Sequence, residues 1–94
     1  SPTAIKALNY NSNTSVRVSS NSASSIQVSF ELIIPEKVTV RLYDVSGKTL
    51  PAIIHQNYTA GKHYETIHMN LPKGIYLYSF STASFNTKGR FIVP

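Results

Sequence analysis

The clearest pattern in the chain alternates with a period of two. Ile26, Val28, Phe30 and Leu32 fall on one side of a run and Gln27, Ser29 and Glu31 on the other, the mark of a strand half-buried against a core. After a break at Pro35 and Glu36 the alternation resumes, with Val38, Val40 and Leu42 inward and Thr39, Arg41 and Tyr43 outward. Two such runs with so short a break predict a β-hairpin. Val45, Ser46 and Gly47 mark a second tight connection, in which Gly47 supplies a positive φ. The chain then returns through Leu50 to Ile54. Pro51 cannot donate to a ladder, so this return strand is expected at a sheet edge.

The flanking segments are read in the same way. Ile5 to Tyr10 suggests a short strand, Asn11 and Asn13 a turn, and Val16 and Val18 a further alternating strand. Ser19 to Ser25 is almost entirely serine and reads as a flexible loop. In the second half Gly61 opens a turn, after which Ile67, Met69 and Leu71 point one way and Thr66, His68 and Asn70 the other. Pro72 presets φ for a β-turn and Gly74 suits the turn's last position. Behind that turn Ile75, Tyr76, Leu77, Tyr78 and Phe80 make a strand too apolar to have a fully solvated face. A polar loop over Ser84 to Lys88 leads to a last strand, Arg90 to Val93, with Phe91 and Val93 on one face and Arg90 on the other.

No 3.6-residue period appears, and strands recur every 8–12 residues or so, which predicts an antiparallel β-sandwich of seven or eight strands. Its expected core holds Val28, Phe30, Val40, Leu42, Ile67, Met69, Tyr76 and Tyr78. The turn that feeds Tyr76 resembles the tyrosine corner of immunoglobulin-like sandwiches, so that variety is the one expected.

Composition narrows the function more than the fold. A chain of 94 residues buries roughly 60–70% of its unfolded surface, enough for one core, so residues 1–94 are read as a single domain. Cysteine is absent, which excludes disulfides, a thiolate nucleophile and cysteine metal sites. No apolar run nears the roughly 20 residues of a membrane helix, and no membrane insertion is expected. No signal peptide precedes Ser1, so the domain reads as a piece of something longer. The net charge is +5, but no two basic residues are adjacent, which argues against a phosphate-tracking stripe and against nucleic acid.

A catalytic or metal site is not found. His63 and His68 stand an odd number of residues apart in one strand and face opposite ways, and Glu65 beside His63 is a lone pairing on a solvated face. Gly47-Lys-Thr49 lacks the earlier glycine of a phosphate loop, and no Gly-x-Ser-x-Gly elbow occurs. No cofactor is expected and the domain reads as non-enzymatic. Asn13-Thr-Ser15 and Asn57-Tyr-Thr59 are glycosylation sequons of the kind such loops generate by chance. Carbohydrate binding is a further reading, because the alternation leaves Tyr10, Tyr43, Tyr58 and Tyr64 partly exposed. Tyr43 or Tyr64 would serve as a stacking platform, although the chain has no Trp.

Four segments in order carry a family resemblance: Val38-Thr-Val-Arg-Leu-Tyr-Asp-Val-Ser-Gly-Lys48, Ala60-Gly-Lys-His63, Leu71-Pro-Lys-Gly-Ile-Tyr76 and Gly89-Arg-Phe-Ile-Val93. In that order and spacing the chain resembles the C-terminal sorting domain of the type IX secretion system. Gly47, Gly61, Pro72, Gly74 and Tyr76 are the turn and structural positions within them. The resemblance implies a non-catalytic domain at the C-terminus of a secreted protein, read by outer-membrane secretion proteins and sent through the periplasm to the cell surface or beyond. The terminal strand is the natural element to be read, which makes Lys88, Gly89, Arg90, Phe91, Ile92 and Val93 the expected recognition residues. The alternative is a carbohydrate-binding module of a secreted polysaccharide hydrolase, with polysaccharide as its partner.

Overall fold

The computed structural model describes residues 15–94. The strand expected at residues 5–10, the turn after it and Tyr10 lie outside the described residues. Seven strands follow in order: β1 (Val16–Ser22), β2 (Ser25–Leu32), β3 (Glu36–Tyr43), β4 (Thr49–Tyr58), β5 (Gly61–His68), β6 (Gly74–Ser81) and β7 (Asn86–Val93). They form two sheets, one ordered β1-β2-β5 and the other β4-β3-β6-β7. Every pairing is antiparallel. The fold is an antiparallel β-sandwich, and β4 lies at a sheet edge where Pro51 requires it.

The alternating residues meet between the sheets. Val38, Val40 and Leu42 of β3 are fully buried, facing Ile26, Val28, Phe30 and Leu32 of β2. Phe30 and Phe80 join the two sheets with ring centroids 5.2 Å apart. Each such side chain, removed from water, stabilises the fold by about 1.5–3 kcal/mol. Ile67 and Tyr76 join this core, whereas Met69 and Tyr78 are only partly buried against it.

Three expectations are corrected. The first is the hairpin between β2 and β3. β2 pairs with β1 and β5, while β3 pairs with β4 and β6, so the connection through Ile33, Ile34 and Pro35 crosses from one sheet to the other. Both strands carry one wholly apolar face, and the two faces bury most area by facing each other rather than by lying side by side.

The second is the serine-rich loop. β1 continues to Ser22 and β2 begins at Ser25, with a register shift between Ser19 and Ser22. Serine side chains hold this bulged hairpin together: Ser20 Oγ reaches the carbonyls of Ser22 at 2.6 Å and Ser25 at 2.9 Å. Third, the last strand begins at Asn86 rather than Arg90, because Thr87 and Gly89 pair with Phe80 and Tyr78 and extend the ladder.

The turns follow from their side chains. Asp44 closes the β3–β4 connection: its Oδ1 accepts from the backbone N–H groups of Ser46 at 2.9 Å and Lys48 at 3.0 Å, and from Ser46 Oγ at 2.6 Å. The Ser46 hydroxyl, then the Lys48 amide, hold the Asp44 carboxyl below its ordinary pKa. Gly47 completes that turn at φ 92°, a conformation other residues rarely adopt. At the start of β6, Tyr76 Oη donates to the Pro72 carbonyl at 2.6 Å. That bond reaches back over the turn as a tyrosine corner does.

Candidate functional site

β7 is the edge strand of the four-stranded sheet. One flank is bonded to β6 through eight successive register pairs, from Gly74 with Val93 to Ser81 with Asn86. Among the described residues no strand pairs with its other flank, so backbone N–H and C=O groups there have no ladder partner, as at an edge that accepts an added strand, although β1 of the other sheet runs close beside part of it. Beside it, a cleft of about 460 Å³ opens between Ser19 and Ser20 of β1 and Arg90 and Ile92 of β7.

The pleat divides the six expected recognition residues into two sets. Phe91 and Val93 point inward and are buried, and Phe91 stacks on Tyr76 with centroids 5.7 Å apart. Gly89 also lies on the inner side, beneath the Tyr78 ring. Lys88, Arg90 and Ile92 point outward and are exposed. Any direct reading of side chains on this strand therefore falls to Lys88, Arg90 and Ile92.

The register shows what surrounds those three. Ile92 lies opposite Ile75, and Arg90 opposite Leu77, which in turn lies opposite Tyr43 of β3. Lys88 lies opposite Ser79, and Ser79 opposite Arg41. The outer face of this sheet thus joins Lys88, Arg90 and Arg41 to the exposed apolar pair Ile75 and Ile92. The acids stand elsewhere. Glu31 and Glu65 are on the other sheet, Asp44 is in its turn, and Glu36 accepts from Ser84 Oγ at 3.0 Å. Alternation along β3 already turned Arg41 outward in the sequence, but only the strand order places it in line with Lys88.

The remaining candidates are dispersed. Tyr43 is half-buried on the outer face of the four-stranded sheet, its hydroxyl 3.3 Å from Ser79 Oγ. Tyr64 stands on the opposite outer face and is 76% exposed, so the two do not form one platform. Tyr58, expected to be exposed, is instead buried: its ring meets Phe30 edge-on at 4.9 Å and its hydroxyl donates to Glu65 Oε2 at 2.8 Å. Burial first, then the Glu65 carboxylate, push the Tyr58 phenol up to about 12.

His63 and Glu65 are likewise structural rather than an idle pair on a solvated face. His63 Nε2 donates to the Thr59 carbonyl at 2.7 Å and its ring packs against Phe30 and Tyr58. Gly61, at φ 116°, stands where the chain leaves β4 and crosses to the other sheet, in which β5 pairs with β2. Among the described residues no group of three or more His, Asp or Glu could hold a metal ion.

Comparison with known proteins agrees with the four-segment resemblance. The family model described as a secretion system C-terminal sorting domain matches residues 13–94. No curated protein matches the chain.

Proposed function

Because the chain belongs to the family of C-terminal sorting domains of the type IX secretion system, we propose that it is the non-catalytic C-terminal module of a longer secreted protein. It carries that protein from the periplasm to the cell surface. Its partner is a protein of the outer-membrane secretion machinery, and its ligand-bearing element is β7. The observation that supports this most directly is the edge position of β7, with Lys88, Arg90 and Ile92 turned outward.

The mechanism follows from that position. A receptor strand laid along the free flank of β7 continues the ladder, and main-chain hydrogen bonds supply the affinity. Lys88, Arg90 and Arg41, on a face without carboxylates, steer an acidic receptor surface toward that edge. Ile92 and Ile75 add an apolar contact beside the charges. The sandwich is needed because Phe91 and Val93 hold the strand straight against the core. Fusion of the domain to a periplasmic reporter, in a bacterium that has the system, tests the proposal. Reporter on the cell surface supports it, and reporter retained in the periplasm contradicts it.

A further inference from the structure

The outer face of the three-stranded sheet, to which β7 does not belong, carries a second arrangement. Arg17 of β1 lies opposite Ser29 of β2, and Ser29 opposite Tyr64 of β5. Two long side chains on the edge strands thus flank a small one on the central strand, which leaves a trough. In the next rank Glu31 lies opposite Lys62, and Glu31 N–H donates to the Ser15 carbonyl at 3.1 Å, which brings the start of the described chain alongside. The trough has a volume of about 170 Å³ and is lined by Ser15, Arg17, Ser29, Phe30, Glu31, Lys62 and Tyr64.

The geometry points to a binding site for a neutral pyranose unit of a polysaccharide, with Tyr64 as its stacking wall. At 76% Tyr64 is the most exposed large apolar side chain among the described residues. An exposed ring loses unfavourable hydration when the C–H face of a sugar covers it, and its hydroxyl stays in water. The rest of the lining matches a ring of hydroxyl groups. Arg17 and Lys62 only donate, Glu31 only accepts, and the serines do both. The two cations Arg17 and Lys62 would draw an anionic ligand but Glu31 between them would oppose it, and an apolar ligand would cover all three charged groups. A hydroxyl-bearing ring, which both donates and accepts, satisfies all of them.

The test is titration of the 94-residue chain with cellohexaose, xylohexaose and chitohexaose, and with an oligogalacturonate as the anionic comparison. The expected result is saturable binding of at least one of the neutral three. Tyr64→Ala should weaken it at least about tenfold, and Arg17→Ala by a smaller factor. Tyr43→Ala, on the opposite face, should leave it unchanged. Circular dichroism establishes that each variant is folded, and Arg17→Ala serves should Tyr64→Ala not be. No saturable binding of a neutral sugar, binding of the oligogalacturonate alone, or binding that Tyr64→Ala leaves intact would overturn the assignment. Sorting is a separate matter, since surface delivery should be the same with and without the Tyr64 ring.

Discussion

The Tyr78 ring lies over Gly89 so closely that a Cβ at residue 89 would sit 2.6 Å from the Tyr78 hydroxyl oxygen and 2.7 Å from its ring carbons. Gly89 thus owes its place in β7 to packing: it leaves room for an aromatic ring from the neighbouring strand, which in turn covers the bare backbone. Gly89→Ala should destabilise the domain by about 1–3 kcal/mol, the range for overpacking. Tyr78→Ala combined with it should cost less than the two changes summed, since the clash then disappears. Urea titration of the four proteins measures both. Additive costs would contradict the assigned contact.

The Tyr76 corner makes a second prediction. The ring is 8% exposed and stacks on Phe91, and its hydroxyl donates to the Pro72 carbonyl. Tyr76→Phe removes only the hydrogen bond and should cost about 1 kcal/mol. Tyr76→Ala also opens a cavity beneath β7 and should cost about 3–5 kcal/mol. A loss below about 1 kcal/mol for Tyr76→Ala would be incompatible with a buried ring.

Tyr58 gives the fold a dependence on alkaline pH. Its phenol titrates at about 12 in the folded domain, against an ordinary value of 10.0. Between those values the unfolded chain has lost this proton and the folded domain has kept it, so rising pH favours unfolding. The stability that Tyr58 contributes is fully present below about 10 and is lost as pH rises through about 12. The difference in unfolding free energy between wild type and Tyr58→Phe should therefore shrink across that window. A constant difference would show that burial and Glu65 do not hold the proton.

These contacts also show where reading the sequence succeeds and where it stops. Alternation identified Ile26 to Leu32 and Val38 to Leu42 because one face of each strand is wholly buried, and a period of two records that directly. Alternation says which face is buried but not which sheet a strand joins, which is why β2 and β3 looked like a hairpin. The Ser19 to Ser25 segment has almost no apolar residue to reveal a period. Its hairpin depends on backbone pairing and on the Ser20 hydroxyl. Tyr58 was misplaced because Ile53 and Ile54 break the alternation of β4 ahead of it. On β7 the outward placement of Arg90 was legible, whereas the alignment of Lys88 with Arg41 and the Tyr64 trough both depend on strand order. Pairing between distant strands leaves no local trace in a single sequence.

The central claim is that the outward side chains of β7 are read during export, and surface delivery of a reporter fused to the domain tests it most directly. Deleting the strand is uninformative, because Phe91 and Val93 belong to the core. The informative variant is Lys88→Glu/Arg90→Glu, which reverses the outward charge and leaves the inward face alone. Its control is Lys6→Glu/Lys37→Glu, which changes net charge equally outside the four segments and the trough. With thermal melts showing all three proteins folded, the β7 variant should deliver at least about tenfold less reporter than wild type, the scale on which steering charges change association, and the control should match wild type. Delivery at the wild-type level by a folded Lys88→Glu/Arg90→Glu domain would contradict the claim.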